Sequence, residues 1–344
     1  MIPFDPNDIG NLNNNIFGLP YNEESAKIIF IPVPWDVTAS YHAGTAKAPE
    51  AIFNASFHVD LFDSFKENAW HTGYAMKEVS SIIKEKNERL KYHSCGVISH
   101  LAESIAISES EEIQNSITLI NTECSEINSW VKDQSKKYID KNKFIGIIGG
   151  EHSVPLGFIQ ALSEKYNNFG ILQIDAHADL RDTYEGFEFS HASIMNNVLK
   201  IPQIKKLVQL GIRDICENEF QTIRQSKGRI KTYFDRDIKN AMFGGKTWKN
   251  FCDEIIHDLP KNIYISFDID GLDPKLCPNT GTPVPGGLEL NEVYYLFENI
   301  VSSGRKIIGF DLCEVAPGSD EWDANVGARV LYRLANIMAK SNGI

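Results

Sequence analysis

Six short apolar runs, separated by helical patterns, constrain the fold of this chain more than any other feature. In several of these runs almost every residue before the last two is apolar, which is typical of strands buried on both faces. The runs lie at residues 26–35, 143–150, 169–177, 204–213, 262–270 and 305–315. Apolar residues recur every three or four positions at 153–166, 291–304 and 325–343. This alternation predicts an α/β fold, a three-layer αβα sandwich with a mainly parallel central sheet.

The length of 344 residues is compatible with one large α/β domain. We predict a single domain over residues 1–344, with an N-terminal extension at 1–25. Residues 64–140 are polar and helix-like, and we predict a variable helical segment there that covers the site or forms a subunit contact. The six cysteines are far apart without a CxxC pair, which favours reduced thiols and a cytoplasmic protein.

The charge balance excludes two classes of partner. The formal net charge is −12, and no run rich in lysine or arginine occurs. We therefore expect no nucleic acid and no anionic membrane surface as partners. No apolar run reaches the roughly 20 residues that span a bilayer. A small cationic molecule is the ligand that this charge favours.

Polar clusters follow four of the predicted strands. The motifs are "GGEHS" (149–153), "DAHAD" (175–179), "DIDGLDP" (268–274) and "CEVAP" (313–317). Ligands of open α/β sheets bind beyond the carboxyl ends of the strands, so these groups should share one edge of the sheet. In an extended strand, residues two apart share a side, which would point Asp175, His177 and Asp179 the same way. The glycine pair before His152 would allow a sharp turn.

The combination of carboxylates and imidazoles predicts a metal site. Four packed carboxylates would repel one another, and two divalent cations would cancel their charge. Donors of this kind without thiolate suit Mn²⁺, and Ni²⁺, Co²⁺ or Fe²⁺ can occupy the same ligands. Each fragment alone has an ordinary explanation: an isolated D-x-H is usually a strand cap or surface pair, and "DGLDP" fits a simple turn. Their joint occurrence at strand ends favours a binuclear site.

These motifs, with "SHAS" (190–193) and "PVPWDVTASYHAGTAKAPEAI" (32–52), resemble the ureohydrolase family of arginases and agmatinases. The resemblance extends over about residues 26–340 by the order of these motifs, and residues 64–140 match poorly. It implies hydrolysis of a guanidino group to urea and an amine. It also implies two Mn²⁺ per chain and a homo-oligomer, trimeric or hexameric.

The resemblance further implies a role for each residue. One ion would bind His152, Asp175, Asp179 and Asp268, and the other His177, Asp175, Asp268 and Asp270. The hydroxide between the ions would attack the guanidinium carbon, and Asp179 would take its proton. Glu314 would hold the guanidinium, and His191 would pass a proton to the departing amine. Glu314 could instead simply end its strand, and His191 could be a solvated loop residue.

The substrate is less constrained than the reaction. The loop 180–193 resembles the agmatinase-like branch, and its Asp182, Glu185 and Glu188 would form an acidic mouth suited to agmatine. Arg181 and Tyr184 would also contact substrate, and Arg181 could meet the carboxylate of arginine, guanidinobutyrate or guanidinopropionate. Free guanidine would need a sealed pocket, for which the aromatic residues are Trp35, Tyr41, Tyr184, Phe187 and Phe189.

Two other classes remain as alternatives. A related αβα architecture serves deacylases that act on amides with a single Zn²⁺. A non-catalytic paralogue would serve as a binding protein, although such proteins usually lose ligands and all six are present here. We expect Cys277 and Cys313, which lie close to the motifs, to be packing residues.

Overall fold

One eight-stranded sheet, in which all neighbouring strands are parallel, organises the computed structural model of the chain. The structure describes residues 4–8, 10–41 and 44–344. The strands are β1 (Ile28–Val33), β2 (Tyr74–Met76), β3 (Phe144–Gly149), β4 (Phe169–Ile174), β5 (Ile204–Ile212), β6 (Ile230–Phe234), β7 (Asn262–Asp268) and β8 (Lys306–Cys313). Their order across the sheet is β2-β1-β3-β8-β7-β4-β5-β6. The predicted α/β fold class is confirmed.

Ten α-helices connect the strands within the described residues. They are α1 (Ala48–Ser56), α2 (Ser81–Ala102), α3 (Glu111–Ile139), α4 (Leu156–Lys165), α5 (Ile194–Leu199), α6 (Glu217–Gln225), α7 (Asp235–Phe243), α8 (Trp248–Asp258), α9 (Leu290–Ser302) and α10 (Trp322–Asn342). The three helices predicted from periodicity correspond to α4, α9 and α10. Gly343, with a φ of 75°, ends α10 in the left-handed conformation that a helix C-terminus favours.

The six predicted strands are the six inner strands of the sheet, and the two that the sequence analysis missed are its edges. β2 is only three residues long, and β6 is buried at only two of its five positions, Ile230 and Tyr233. An edge strand is covered less completely, so it lacks the continuous apolar run that marks an inner strand. The apolar pattern of both edge strands was therefore too weak to predict them from the sequence.

Two hydrophobic cores cover the two faces of the sheet. One contains buried residues from α1, α8, α9 and α10, and the other contains buried residues from α2, α3, α4 and α5. The N-terminal extension contributes to the first core, where Phe17 contacts the rings of Phe30, Tyr74 and Tyr332. Helices on both faces of a parallel sheet give the predicted three layers.

The strand order decides where the polar motifs meet. β3, β8, β7 and β4 are consecutive neighbours, although they are far apart along the chain. Because all four are parallel, their carboxyl ends lie at the same edge of the sheet. The four motifs that follow these strands are thereby brought next to one another, at the place where open α/β sheets bind ligands.

Candidate metal centre and substrate cavity

The segment after β4 is a folded loop, not the extended strand end that the sequence analysis predicted. β4 ends at Ile174, and Asp179 has a φ of 54°, which is left-handed. The backbone N–H of His177 donates to Asp175 Oδ1 at 2.6 Å and closes a tight turn. Asp175, His177 and Asp179 still converge, because the loop turns back over the sheet edge. The alternation of a strand is not the cause.

The glycines before His152 serve close packing. A Cβ on Gly150 would lie 2.1 Å from the carbonyl oxygen of Trp35, and one on Gly149 would lie 2.5 Å from Cys313 Sγ. Neither glycine has a positive φ. The chain does bend at Gly150 and Glu151, and the glycines also meet a steric requirement: only glycine lets β3 and its loop approach their neighbours this closely.

His152 is the centre of the first group of predicted ligands. Its Nδ1 atom lies 3.0 Å from Asp175 Oδ2, 3.0 Å from Asp179 Oδ2 and 3.3 Å from Asp268 Oδ2. All four side chains are buried. Four residues from three different strand ends thus present their donor atoms to one point.

His177 is the centre of the second group. Its Nδ1 atom lies 3.0 Å from Asp270 Oδ2 and 3.6 Å from Asp175 Oδ1. Asp175 therefore faces both groups, with one carboxylate oxygen toward each histidine. The structure brings together all six residues that the sequence analysis selected, and their assignment as ligands stays a prediction.

Hydrogen bonds behind His152 determine which ring nitrogen faces the carboxylates. Ser266 Oγ donates to Asp311 Oδ2 at 2.9 Å, so its lone pairs are free to accept from His152 Nε2, 2.8 Å away. A proton on Nε2 leaves the lone pair of Nδ1 directed at Asp175 and Asp179. A supporting hydrogen bond of this kind commonly orients a metal-binding histidine.

Ser266 and Asp311 belong to a row of polar residues that crosses the sheet beneath the site. Neighbouring strands pair Thr232 with Gln209, Gln209 with Gln173, Gln173 with Ser266, and Ser266 with Asp311. Thr232 donates to Gln209, Gln209 donates to Gln173, and Gln173 Nε2 donates to Asp175 Oδ2, at 2.7, 2.7 and 2.8 Å. We name these five residues the polar row.

The polar row was not predicted, although its residues can be recognised in the sequence. Each member from β4, β7 and β8 interrupts an otherwise apolar strand just before a polar motif. Buried polar side chains are costly unless they are hydrogen-bonded, so such interruptions mark a functional layer. Gln173 and Ser266 are completely buried, and they bond to Asp175 and His152.

The charges of the site are strongly coupled. Burial would raise the pKa of Asp175, but the neighbouring His152 and His177 hold it well below its ordinary value. Burial and the charge of Asp175 raise the pKa of Asp179 to about 7. Burial and the charges of Asp270 and Asp175 raise the pKa of Asp268 well above its ordinary value. The carboxylates outnumber the cationic groups, so the cluster attracts positive charge.

The donor atoms fit divalent metal ions. Within the described part of the chain, His152 Nδ1 and Asp270 Oδ2 are buried polar atoms without a hydrogen-bond partner. Buried polar atoms are seldom left unpaired, and a bound cation would satisfy both. Two overlapping sets of donors that share Asp175 match the pattern of a two-metal site.

His191 lies beside this cluster and is held from behind by Thr38. The backbone N–H of His191 donates to Thr38 Oγ1 at 3.2 Å, and its Nδ1 lies 3.4 Å from the same oxygen. Thr38 Oγ1 donates to Glu151 Oε1 at 2.9 Å, and Glu151 is completely buried. Burial and the charge of His177 lower the pKa of His191 to about 4. The imidazole is therefore neutral near pH 7.

Glu314 lies deeper than the other predicted substrate-binding residues. Its φ is 62°, and the backbone N–H of His152 donates to its Oε1 at 2.8 Å. Burial and the charge of Glu151 raise its pKa well above the ordinary value. A left-handed backbone at a non-glycine residue is often found where a side chain is held for function. The guanidinium-binding role of Glu314 stays a prediction.

A cavity of about 250 Å³ opens beside the cluster. It is lined by Ser40, His177, Asp179, Arg181, Tyr184, His191, Ala192, Asp214, Ile215, Cys216, Glu219 and Thr282. Its acidic residues besides Asp179 are Asp214 and Glu219. The cavity is acidic, but through other residues than those expected. The lining residues do not include the three acids predicted for its mouth, which are Asp182, Glu185 and Glu188.

Arg181 does not dominate the charge of the cavity. Its guanidinium lies 4.7 Å from the centre of the Tyr184 ring, and its Nε lies 4.0 Å from Glu219 Oε2. The positive charge is thus partly balanced by a nearby carboxylate. Arg181 and Tyr184 both line the cavity, and their contact with substrate stays a prediction.

The aromatic residues considered for a sealed guanidine pocket do not assemble into one. Of the five, Tyr184 lines the cavity. Trp35 and Phe187 are buried in a hydrophobic core, Phe189 packs against that core, and Tyr41 is 75% exposed. The cavity is therefore lined mainly by polar residues, and Tyr184 is its one aromatic residue among the five.

We expect Cys313→Ser to retain activity. Cys313 is completely buried and packs against Gly149, and burial raises the pKa of its thiol. The substitution replaces a sulfur with a smaller, more polar oxygen, so we expect a loss of about 1 kcal/mol in stability. Thermal unfolding and urea release measure the two effects. A large loss of turnover at unchanged stability would show that the thiol takes part in the reaction.

The comparisons with known proteins agree with this geometry. An Arginase family model matches residues 26–336, most of the chain. The chain belongs to the arginase family. The predicted resemblance and enzyme class are thereby confirmed: the protein is a hydrolase of guanidino groups.

The similar proteins within this family include agmatinases and a related ureohydrolase. The chain is 28% identical over 324 residues to N(1)-aminopropylagmatine ureohydrolase of Thermus thermophilus, covering 94% of each chain. It is 27% identical over 301 residues to agmatinase of Bacillus cereus, covering 87% of each. Its fold is similar to that of agmatine ureohydrolase of Thermoplasma volcanium, with a TM-score of 0.71, 22% identity and coverage of 96% and 95% of the two chains.

No helix in the described ranges has both the length and the apolar character to cross a membrane.

Proposed function

We propose that this chain hydrolyses agmatine to putrescine and urea. The observation that carries the proposal is the convergence of His152, His177 and four aspartates in two groups that share Asp175, beside an acidic cavity. A guanidinium with a second cationic end and no carboxylate suits such a cavity. The relatives named agmatinase and N(1)-aminopropylagmatine ureohydrolase support the same class of substrate.

The proposed cofactor is a pair of Mn²⁺ ions, with Ni²⁺ as an alternative. His152, Asp175, Asp179 and Asp268 would hold one ion, and His177, Asp175, Asp268 and Asp270 the other. When bound, two divalent cations lower the pKa of a shared water and supply hydroxide near neutral pH. Carboxylate and imidazole donors without thiolate are consistent with Mn²⁺.

Three residues of the chain would bind the substrate and transfer protons. Glu314 would hold the guanidinium by charge, which orients its central carbon. Asp179 would accept the proton released as the new C–O bond forms. Asp179 would pass that proton to the nitrogen of the breaking C–N bond, because an amine does not leave as its anion. His191, which is neutral near pH 7, would relay a second proton from solvent to the departing amine, so that the agmatine dication and water give urea and doubly protonated putrescine.

N(1)-aminopropylagmatine is the second candidate substrate. The relative that covers 94% of the chain bears that name. The compound shares the guanidino end and the cationic chain of agmatine and is longer by one aminopropyl group. Asp214 and Glu219, which line the cavity, would favour either substrate, and the two differ in how far they extend beyond the cavity.

A substrate panel tests the proposal. Urea release is measured with agmatine, N(1)-aminopropylagmatine, arginine, guanidinobutyrate, guanidinopropionate and guanidine, after loading with Mn²⁺ or Ni²⁺. We expect kcat/KM for agmatine to exceed that for arginine at least about 100-fold, because a substrate carboxylate would meet like charge in the cavity. Preference for a guanidino acid would contradict the proposal and would point to Arg181 as its partner.

Metal analysis separates the remaining alternatives. Two equivalents of metal per chain and urea formation are expected. One tightly bound zinc with amide cleavage would favour the deacylase alternative, and metal binding without turnover of any compound would favour a non-catalytic paralogue.

A further inference from the structure

The helical segment between β2 and β3 contacts the loop that carries the substrate-facing residues. On α3, Asn121 Nδ2 donates to the carbonyl oxygen of Gly186 at 3.0 Å. The backbone N–H of Glu188 donates to Asn121 Oδ1 at 2.8 Å. A single side-chain amide thus pairs with the loop backbone through both its donor and its acceptor, as a neighbouring strand would.

The loop at this point is a tight turn. Tyr184 N donates to Phe187 O at 3.1 Å, and Phe187 N donates to Tyr184 O at 2.8 Å. The two central residues, Glu185 and Gly186, have φ values of 55° and 85°. The conformation of Glu185 is energetically unfavourable, because a residue with a Cβ seldom adopts a left-handed backbone. Contacts from outside the turn offset this cost.

α3 supplies a steric contact as well as hydrogen bonds. A Cβ on Gly186 would lie 2.9 Å from Ile117 Cδ1, which shows that the helix backs directly onto the turn. On the other side, Phe187 is completely buried in the core that α3 shares with the sheet. Asn197 Nδ2 donates to the carbonyl oxygen of Glu188 at 2.8 Å and holds the end of the turn.

The turn determines where Tyr184 lies in the cavity. The Tyr184 ring packs edge-on against His191, with ring centres 5.9 Å apart and planes at 84°. The Arg181 guanidinium lies 4.7 Å from the centre of the same ring. A shift of the turn would therefore move Tyr184 and disturb the Arg181 guanidinium that lies against it. His191, which Thr38 holds, and the six predicted ligands would keep their places.

We propose that Asn121 is a specificity-determining positioning residue: it fixes the turn at Tyr184–Phe187 and thereby the part of the cavity that receives the substrate beyond its guanidino group. The inference rests on the proposed function, since it assumes a guanidino substrate in this cavity. It assigns to the segment 64–140 a role in the site of its own chain.

The test compares Asn121→Ala with Thr122→Ala. Thr122 is the next residue of α3, is exposed, and donates to the carbonyl oxygen of Thr118 within its own helix. For Asn121→Ala we expect kcat/KM for agmatine to fall about tenfold, from the loss of two hydrogen bonds that hold the turn. Methylguanidine, which has only the guanidino end, should change less than about twofold as a substrate or competitive inhibitor. Thr122→Ala should leave both values unchanged.

A second readout does not depend on turnover. The Glu188 amide donates to Asn121, so its hydrogen exchange in the metal-loaded protein should accelerate at least about tenfold in Asn121→Ala. Asn121→Asp keeps the acceptor and loses the donor, so it should preserve slow exchange at Glu188 and lower kcat/KM by a smaller factor. The Asp variant replaces the Ala variant if the latter does not fold.

The two proposals fail in different ways. If the wild-type protein turns over no guanidino compound, the proposed function is wrong. Unchanged hydrogen exchange of the Glu188 amide in Asn121→Ala would still show that Asn121 does not fix the turn. If agmatine is hydrolysed, equal losses for agmatine and methylguanidine, or an unchanged Glu188 amide, would overturn the role of Asn121. Loss of bound metal in Asn121→Ala would also overturn it, because the turn would then support the whole site.

Discussion

Asp175→Asn is expected to reduce urea formation at least about 1,000-fold and to lower the metal bound per chain. The carboxylate of Asp175 faces His152 with one oxygen and His177 with the other, at 3.0 and 3.6 Å. Asparagine keeps the size of the side chain but removes its charge and one of its two oxygens, so neither group of donors stays complete. Urea assays and metal analysis of the purified variant measure the two losses.

The matched control is Asp182→Asn on the same loop. The Asp182 side chain is 88% exposed and lies 3.6 Å from Lys200. We expect activity and metal content within about twofold of the wild type, since exposed substitutions of this kind have small effects. Full turnover with two bound metals in Asp175→Asn would contradict the assignment of the shared ligand.

Glu314→Gln is expected to lower kcat/KM by about 100- to 1,000-fold while both metal ions remain bound. The carboxylate is buried and accepts a hydrogen bond from the backbone N–H of His152. Glutamine keeps an oxygen for that bond, so the fold of the loop should persist. What disappears is the carboxylate that a bound guanidinium would hold in its ionised form. Steady-state kinetics with agmatine, together with metal analysis, separate the two contributions.

Glu217→Gln provides the comparison for a glutamate near the cavity. Glu217 begins α6 and is exposed, two residues before the cavity-lining Glu219. Its replacement should change kcat/KM by less than about twofold. If Glu314→Gln has an equally small effect, another carboxylate must hold the guanidinium, and the cavity acids Asp214 and Glu219 are the next to replace.

The inner part of the fold was predictable because burial leaves a simple pattern. The runs at 143–150 and 262–270 contain β3 and β7, and both strands are covered on two faces. The edge strands β2 and β6 were missed for the opposite reason. β2 is short and β6 is only partly buried, so neither leaves the continuous apolar run of an inner strand, and pairing with a neighbouring strand is what makes them extended.

The site was predictable in its members but not in its geometry. His152 and Asp268 stand out as charged groups after apolar strands, and they lie 3.3 Å apart. The turn at Asp179 was not foreseen, because its left-handed backbone depends on contacts with the rest of the fold. Thr38 was also missed, since its hydrogen bonds to Glu151 and His191 join residues 113 and 153 positions away.

The sequence by itself determined the class of fold, the six inner strands and the six side chains that converge at their ends, because each is encoded by local apolar patterning and by the polar residues that interrupt it. Tertiary structure alone decided which strands are neighbours, which oxygen of Asp175 faces which histidine, and which acids line the cavity. Those properties arise from packing between segments far apart in the chain. In a parallel sheet, such segments become neighbours only because the helices that connect the strands pack on its two faces.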